Sequence, residues 1–282
     1  MARQEIDLTT PQPNGKMGEP TKSAWEKVNE MTAELYASAG MSAAIAGDNM
    51  LISCGIPVNQ SSFAGGSLAA GVYGYDMWKA GAGGCNLSIS ASTGVFNHVS
   101  GSIQQVIENP ILAWGQPLTF SVENPSSNIS VSIGGSTATI TAGSGRQSVT
   151  VTPSGSGNMV VQITASGATY SRPKLERGTI ATRFEPVPYS IDMLMVQRYF
   201  ETGTIYLFGC VSASGGWAGV QCDFKVEKRA IPAMVYAPAE TSTNISQTTP
   251  VVTTKTLSVR GIPLAINQNF IYVGGYSADA RL

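Results

Sequence analysis

The sequence predicts a mainly β protein with an extended N-terminal arm and short helix, a central antiparallel β-sandwich of jelly-roll kind, and a second C-terminal β domain. Three observations carry that prediction. From Met50 onward apolar residues recur at every second position in short runs broken by Gly, Ser and Asn, as half-buried strands joined by tight turns require. Only 12% of the 282 residues are charged, against about 25% in an average soluble domain, yet 43% are hydrophobic, enough to build a core. A helical rhythm with matching start and stop signals is placed only near the N-terminus.

Taken in order, residues 1–19 contain Pro11, Pro13, Gly15 and Gly18 and no apolar period, so they read as an extended arm. Such an arm buries too little to offset its own chain entropy, and it is expected to dock on another protein or stay disordered. Glu19-Pro20 opens a helix, because proline suits the first helical position and a carboxylate suits the positive end. The helix is expected to run to about Ala37 and stop at Gly40. Ala24, Val28, Met31 and Leu35 are spaced as heptad a and d positions, and Lys22 can pair with Glu26. Two heptads are too few for an isolated coiled coil, so the stripe packs either on its own subunit or around a symmetry axis with other copies.

The strand region holds a register that can be derived. Gly134-Gly135 separates two alternating runs, and a two-residue turn there pairs Ile133 with Ser136, Val131 with Ala138 and Ile129 with Ile140, putting the apolar residues on one face. Further strands are expected at Leu87–Ser92, Leu118–Glu123, Gln147–Thr152 and Met159–Ala165. Ser190–Phe200 breaks the pattern as a helical turn or buried connector. Strands resume at Ile205–Val211, Val220–Val226, Ala233–Ala237, Thr256–Val259 and Phe270–Val273, with Pro238–Thr249 as a long exposed loop. The expected divisions are 1–40, 41–198 and 199–282.

Composition and motifs exclude several chemistries. A net charge of −1 does not suit a nucleic-acid partner, which demands surplus Lys and Arg. No apolar run reaches about 18 residues, so no membrane insertion is expected. A lone His98 cannot furnish a multi-histidine metal site; it could contribute one ligand per subunit to an axial ion, though an ordinary histidine is the simpler reading. Cys54, Cys85, Cys210 and Cys222 show no CxxC spacing, and Met1 to Thr10 is polar and unlike a signal peptide, so the cysteines are expected free and buried. No nucleotide-binding loop and no GxSxG elbow appear, so no cofactor and no catalytic residue is expected. In the last domain Asp223 and Glu227 would share a strand face about 13 Å apart, too far for a retaining glycosidase pair.

Two segments resemble tail-fibre and related receptor-binding proteins of tailed bacteriophages. Leu8-Thr-Thr-Pro-Gln-Pro-Asn-Gly-Lys16 with Gly18-Glu-Pro-Thr-Lys-Ser-Ala-Trp-Glu-Lys-Val-Asn29 is similar to the virion-proximal arm and helix of such fibres. Lys174-Leu-Glu-Arg-Gly-Thr-Ile-Ala-Thr-Arg-Phe-Glu-Pro186 followed by Gln197-Arg-Tyr-Phe200 resembles the end of a jelly-roll, carbohydrate-binding-like module, and Asn49–Ser53 and Gly74-Tyr-Asp76 with Trp78 resemble its start. Met77 stands where that family usually has Arg, and only Val58-Asn-Gln60 remains of another of its motifs. Strand alternation would turn Leu175 inward and Lys174 and Glu176 outward, as a charged strand near the module edge.

The resemblance implies a homotrimeric short tail fibre in the virion tail, made in the host cytoplasm. The stripe of Ala24, Val28, Met31 and Leu35 would form the trimer helix. Residues 1–20 would hold phage tail or portal-proximal proteins, and the last domain would touch a host-surface glycan. Aromatics placed to stack on a sugar there are Trp217, framed by glycines, and Tyr236, Tyr272 and Tyr276. The alternatives are a virion adaptor or decoration protein without receptor contact, and a small polysaccharide depolymerase.

Overall fold

The computed structural model describes residues 6–18, 20–43, 49–212, 217–237, 239–247 and 250–282, with the side chains of 33–43 and 247 outside the description. Its contacts divide the chain into Met1–Gly47 and Asp48–Leu282.

In the first unit the arm is not extended throughout. Pro11 bridges to Met17, the Gln12 N–H donates to the Lys16 carbonyl at 2.7 Å, and the Gly18 N–H donates to that of Thr10 at 2.8 Å. Asp7 anchors the loop: hydrogen bonds from Thr10 and then Thr9 hold its carboxyl down to about 2. Gly18 sits at φ +85°, and a β-carbon there would lie 2.7 Å from the Asp7 carbonyl, so only glycine closes the loop. Helix α1 (Thr21–Ala43) then runs past Gly40. One interior glycine costs only about 1 kcal/mol, and Met41-Ser-Ala43 continue without a proline to stop the turn. Lys22 and Glu26 pair at 3.8 Å as their spacing predicts. Ala24, Val28 and Met31 stay half-exposed and Trp25 is exposed, while the Leu35 side chain and Glu19 lie outside the described residues.

The second unit begins with the sandwich: β1 (Gly66–Leu68), β2 (Tyr73–Tyr75), β3 (Trp78–Ile89), β4 (Val95–Ile107), β5 (Leu118–Glu123), β6 (Ile129–Ile133), β7 (Ser136–Ile140), β8 (Arg146–Val151), β9 (Met159–Thr164) and β10 (Ala168–Arg177). The strands follow the antiparallel order β7-β6-β9-β4-β10-β5-β8, with β3 also on β4 and β1 and β2 on β3. The β6–β7 hairpin has the register derived from its Gly-Gly turn. Strand β4 serves two partners: residues 95–98 pair with β10 and residues 102–107 with β9. Gly101 at φ +84° stands between the halves, where a β-carbon would meet the Gly84 carbonyl at 2.3 Å. Trp78, Phe96, Ile103, Phe120, Ile133, Val161, Tyr170 and Leu175 are among the buried side chains of the core enclosed. The strand expected to reach Ser92 ends at Ile89, because Ser90 turns the chain by accepting from Thr93 and Gly94.

Helix α2 (Tyr189–Gln197) supplies the connector, and a second sandwich follows. It comprises β11 (Phe200–Cys210), β12 (Ala218–Asp223), β13 (Ala233–Tyr236), β14 (Thr241–Thr243), β15 (Ile245–Gln247), β16 (Val251–Val252), β17 (Thr256–Pro263) and β18 (Asn269–Asp279). One sheet runs β11-β18-β13 with β14 also on β18; the other runs β12-β17-β15 with β16 also on β17. Ile205, Leu207, Phe270, Tyr272 and Tyr276 of the first meet Ala218, Ile245, Leu257 and Val259 of the second. The segment 238–249, expected as a loop, contains the short strands β14 and β15. Asn244, at φ +53°, turns the chain so that β14 joins one sheet and β15 the other; Pro238 and residues 248–249 lie outside the described residues.

Side chains from both ends of this unit join the two sandwiches. Arg281 lies over the rings of Tyr73 (3.9 Å) and Phe200 (4.1 Å) and donates to the Asp76 carbonyl at 3.2 Å. Tyr73 Oη and Lys79 Nζ each donate to the Leu282 main-chain oxygen at 2.6 Å. Gln60 Nε2 reaches both the Asp76 carboxylate (2.8 Å) and the Phe200 carbonyl (2.9 Å).

Candidate functional site

The Lys174–Pro186 motif is a structural closure. Lys174 and Glu176 are buried, not outward at an edge as alternation suggested, because β10 lies between β4 and β5 and the segment after it folds back over its second face. Lys174 Nζ pairs with Glu176 Oε2 at 3.0 Å and donates to the Arg183 carbonyl at 3.0 Å. Thr182 donates its N–H to Glu176 Oε1 at 2.8 Å, and its hydroxyl joins the same pair. Thr182 stands six positions after Glu176, the reach of a loop that returns to cap the carboxylate. Asn49 ties the start of the sandwich to this end: it accepts from the Leu175 N–H at 3.0 Å and donates to the Pro173 carbonyl at 3.1 Å.

Asp76 is likewise internal. Burial pushes its carboxyl up, while hydrogen bonds from Gln60 and the charge of Arg281 pull the other way. Met77 packs with Val58, Val196 and Tyr199 in a small apolar cluster. Arg281 places a guanidinium beside Asp76, donating to its main-chain carbonyl.

The four aromatics predicted for ligand contact do not form one site. Tyr272 and Tyr276 are 5% and 8% exposed and belong to the core of the second sandwich, so they are corrected to packing residues. Gly274 and Gly203 leave room for their rings, since a β-carbon at either would lie within 2.7 Å of them. Tyr236 is half-buried against the same core. Trp217 alone is open, 64% exposed at the start of β12, with the Arg260 guanidinium 5.0 Å from its ring centroid. The β12–β17 register sets Arg260 opposite Gly219, two residues from Trp217 on the same outer face, and a glycine there leaves the guanidinium room to lie beside the indole. Residues 213–216, which frame Trp217, lie outside the described residues.

A half-buried tryptophan in a cleft was missed in the sequence. Ile111, Leu112, Trp114, Gln116, Pro117, Arg177 and Gly178 line a cleft of about 440 Å³ on the first sandwich. Trp114 donates its indole N–H to the Gly157 carbonyl at 3.0 Å and rests against Gly134 and Gly155. Ile111 and Leu112 project as 70% exposed lips. The signal present was an apolar run, Ile-Leu-Ala-Trp, lying in a turn between Pro110 and Gly115 rather than in a strand.

The remaining chemistry is committed elsewhere. His98 is fully buried against Tyr170, its Nδ1 3.1 Å from the hydroxyl, so it is not available to an axial ion. Glu201 pairs with Lys228 at 2.6 Å, Asp279 with Arg281 at 2.6 Å and Glu227 with Lys255 at 3.7 Å. Glu227 lies beyond the end of β12 at Asp223, so the strand spacing expected for these two carboxylates does not apply. Among the described residues no group of three or more His, Cys, Asp or Glu is placed to hold a metal ion, and no helix is long and apolar enough to cross a membrane. The cysteines are free, with Cys54 and Cys85 buried as expected but Cys210 exposed and Cys222 partly so.

No protein-family model and no curated protein matches this chain. Among solved structures, wild-type discoidin II from Dictyostelium discoideum is similar at 12% identity, covering 83% of this chain and 92% of that one, with a TM-score of 0.23. That overlap is too slight to bear on function, and the β architecture stands on the strands and their register.

Proposed function

We propose that this chain is a non-enzymatic component of a tailed-bacteriophage virion, a homotrimeric short tail fibre attached through residues 1–20 and binding a host-surface glycan through its C-terminal sandwich. The observation that carries the binding role is Trp217 beside Arg260. Leaving a tryptophan 64% exposed forgoes roughly 2 kcal/mol of burial, and the flat indole with a stacked guanidinium suits the apolar face and hydroxyl rim of a sugar. The likeness of the Leu8–Asn29 and Lys174–Phe200 motifs to phage tail proteins supports the virion setting. The half-exposed Ala24, Val28 and Met31 leave the helical stripe open to copies of itself.

A glycan array probed with the full chain, followed by adsorption competition, tests this reading. Trp217→Ala is expected to weaken glycan binding by about tenfold, the loss of one aromatic platform, without changing the melting temperature. Binding unchanged by Trp217→Ala but lost in Trp114→Ala moves the site to the cleft on the first sandwich. A chain that binds no host glycan yet incorporates into virions points instead to an adaptor.

A further inference from the structure

We infer that the outer face of the β11-β18-β14 sheet is covered by a second copy of this chain. The inward residues Ile205, Leu207, Phe270 and Tyr272 fill the core, so the residues between them point outward. Phe208 is 78% exposed and Tyr206 61%, and their cross-strand neighbours are Ile271 and Val273. Thr241 and Thr243 of β14 continue these two rows. Outward positions from Thr202 to Cys210 and from Asn269 to Ser277 include no charged residue. The opposite sheet differs, because Asp223 and Arg260 are exposed on its outer side.

The edge points the same way. β11 ends its sheet, and its register with β18 runs unbroken from Phe200 to Cys210. It has none of the lysines, prolines or bulges with which exposed edges are usually protected. The occupant follows from charge. Copies meeting around a symmetry axis bring the residues close to that axis near their own images, so a charge there would face its like. An uncharged face of aromatic, aliphatic and threonine side chains closes on itself without that cost. This inference rests on the homotrimer of the proposed function and names a face its copies share; glycan binding and virion attachment are measured separately, so failure of this contact is distinguishable from failure of that reading.

Cys210, exposed at the end of this face, reports its coverage. Alkylation of the full chain, read peptide by peptide, is compared between the native sequence and Phe208→Lys, with light scattering alongside. Phe208 points to solvent in the single subunit, so the variant is expected to fold; Thr243→Lys, on β14 across β18 from Phe208, is the second variant. The expected result is at least about tenfold faster alkylation of Cys210 in either variant, with a smaller or looser assembly. Equal and rapid alkylation in native and variant chains at every attainable concentration overturns the inference. So does protection of Cys210 that appears only when another protein is added.

Discussion

The two sandwiches of the second unit solve the same problem differently. Each closes on a buried lysine–glutamate pair, Lys174 with Glu176 in the first and Lys228 with Glu201 in the second. In the first the partners are two apart on one strand, and a local loop caps them through Thr182. In the second they join β11 to the segment after β12, and Lys228 also donates to the Gln197 carbonyl at the end of α2. Burial pulls the Lys228 ammonium down while Glu201 pulls it up. The pair in the first body is thus capped by neighbours in sequence, whereas the pair in the second depends on contacts across its base, and the second body leaves an apolar sheet face exposed in the single chain.

Breaking the pairs is the strongest test of this contrast. Lys174→Met and Lys228→Met each leave a carboxylate buried without its cation, a loss of about 3–5 kcal/mol in urea denaturation. Lys174→Met is also expected to free residues 178–186 to protease, while Lys228→Met loosens the α2–β11 corner. A loss below about 1 kcal/mol in either would show that water reaches the pair and that its body is not closed there.

Acid separates the two bodies next. The only histidine of the chain lies in the first sandwich, where burial holds His98 down to about 4 against an ordinary 6.5. The folded ring stays neutral while the unfolded one takes a proton, so its stabilising share is complete above pH 6.5 and is lost as the pH falls toward 4. The loss is about 3 kcal/mol over that window. His98→Gln keeps a hydrogen-bonding group for Tyr170 and is expected to flatten the slope of stability against pH. A slope unchanged in the variant would show that His98 is not the group responsible, and it could not be reassigned to Asp76 or Asp192, because carboxyls that burial pushes up gain stability as the pH falls.

Period-two alternation made the sandwiches legible, and the Gly134-Gly135 turn fixed a hairpin register residue by residue, because strand faces and turn geometry are local properties. What lay beyond local reach was read poorly. Alternation sent Lys174 and Glu176 outward since nothing in their strand records the loop that returns over them. Tyr272 and Tyr276 looked like sugar platforms because their burial depends on the space left by Gly274 and Gly203, and that space exists only once β11 and β18 are paired. Trp217 was found because its flanking glycines cannot cover it, which is a local fact, whereas the cleft at Trp114 and the clamp of Arg281 are assembled from distant segments.

That clamp yields the smallest expected effect and tests whether the contrast between the sandwiches survives their junction. Arg281 stacks between Tyr73 of the first body and Phe200 of the second, with its guanidinium also held by Asp279 at 2.6 Å. Arg281→Ala removes two ring contacts and the bond to the Asp76 carbonyl, about 2 kcal/mol in all. Arg281→Lys recovers little, because an ammonium lacks the plane that fits between two rings. The Gln60 amide, held by Asp76, and the Thr202 amide, held by Gln60, lie on either side of the joint and report its opening by hydrogen exchange. Faster exchange at both in Arg281→Ala, with the sandwich cores still protected, means the bodies are joined chiefly by this one side chain. Unchanged exchange would move the joint to Gln60, whose bonds to Asp76 and Phe200 then suffice to hold the second sandwich to the first.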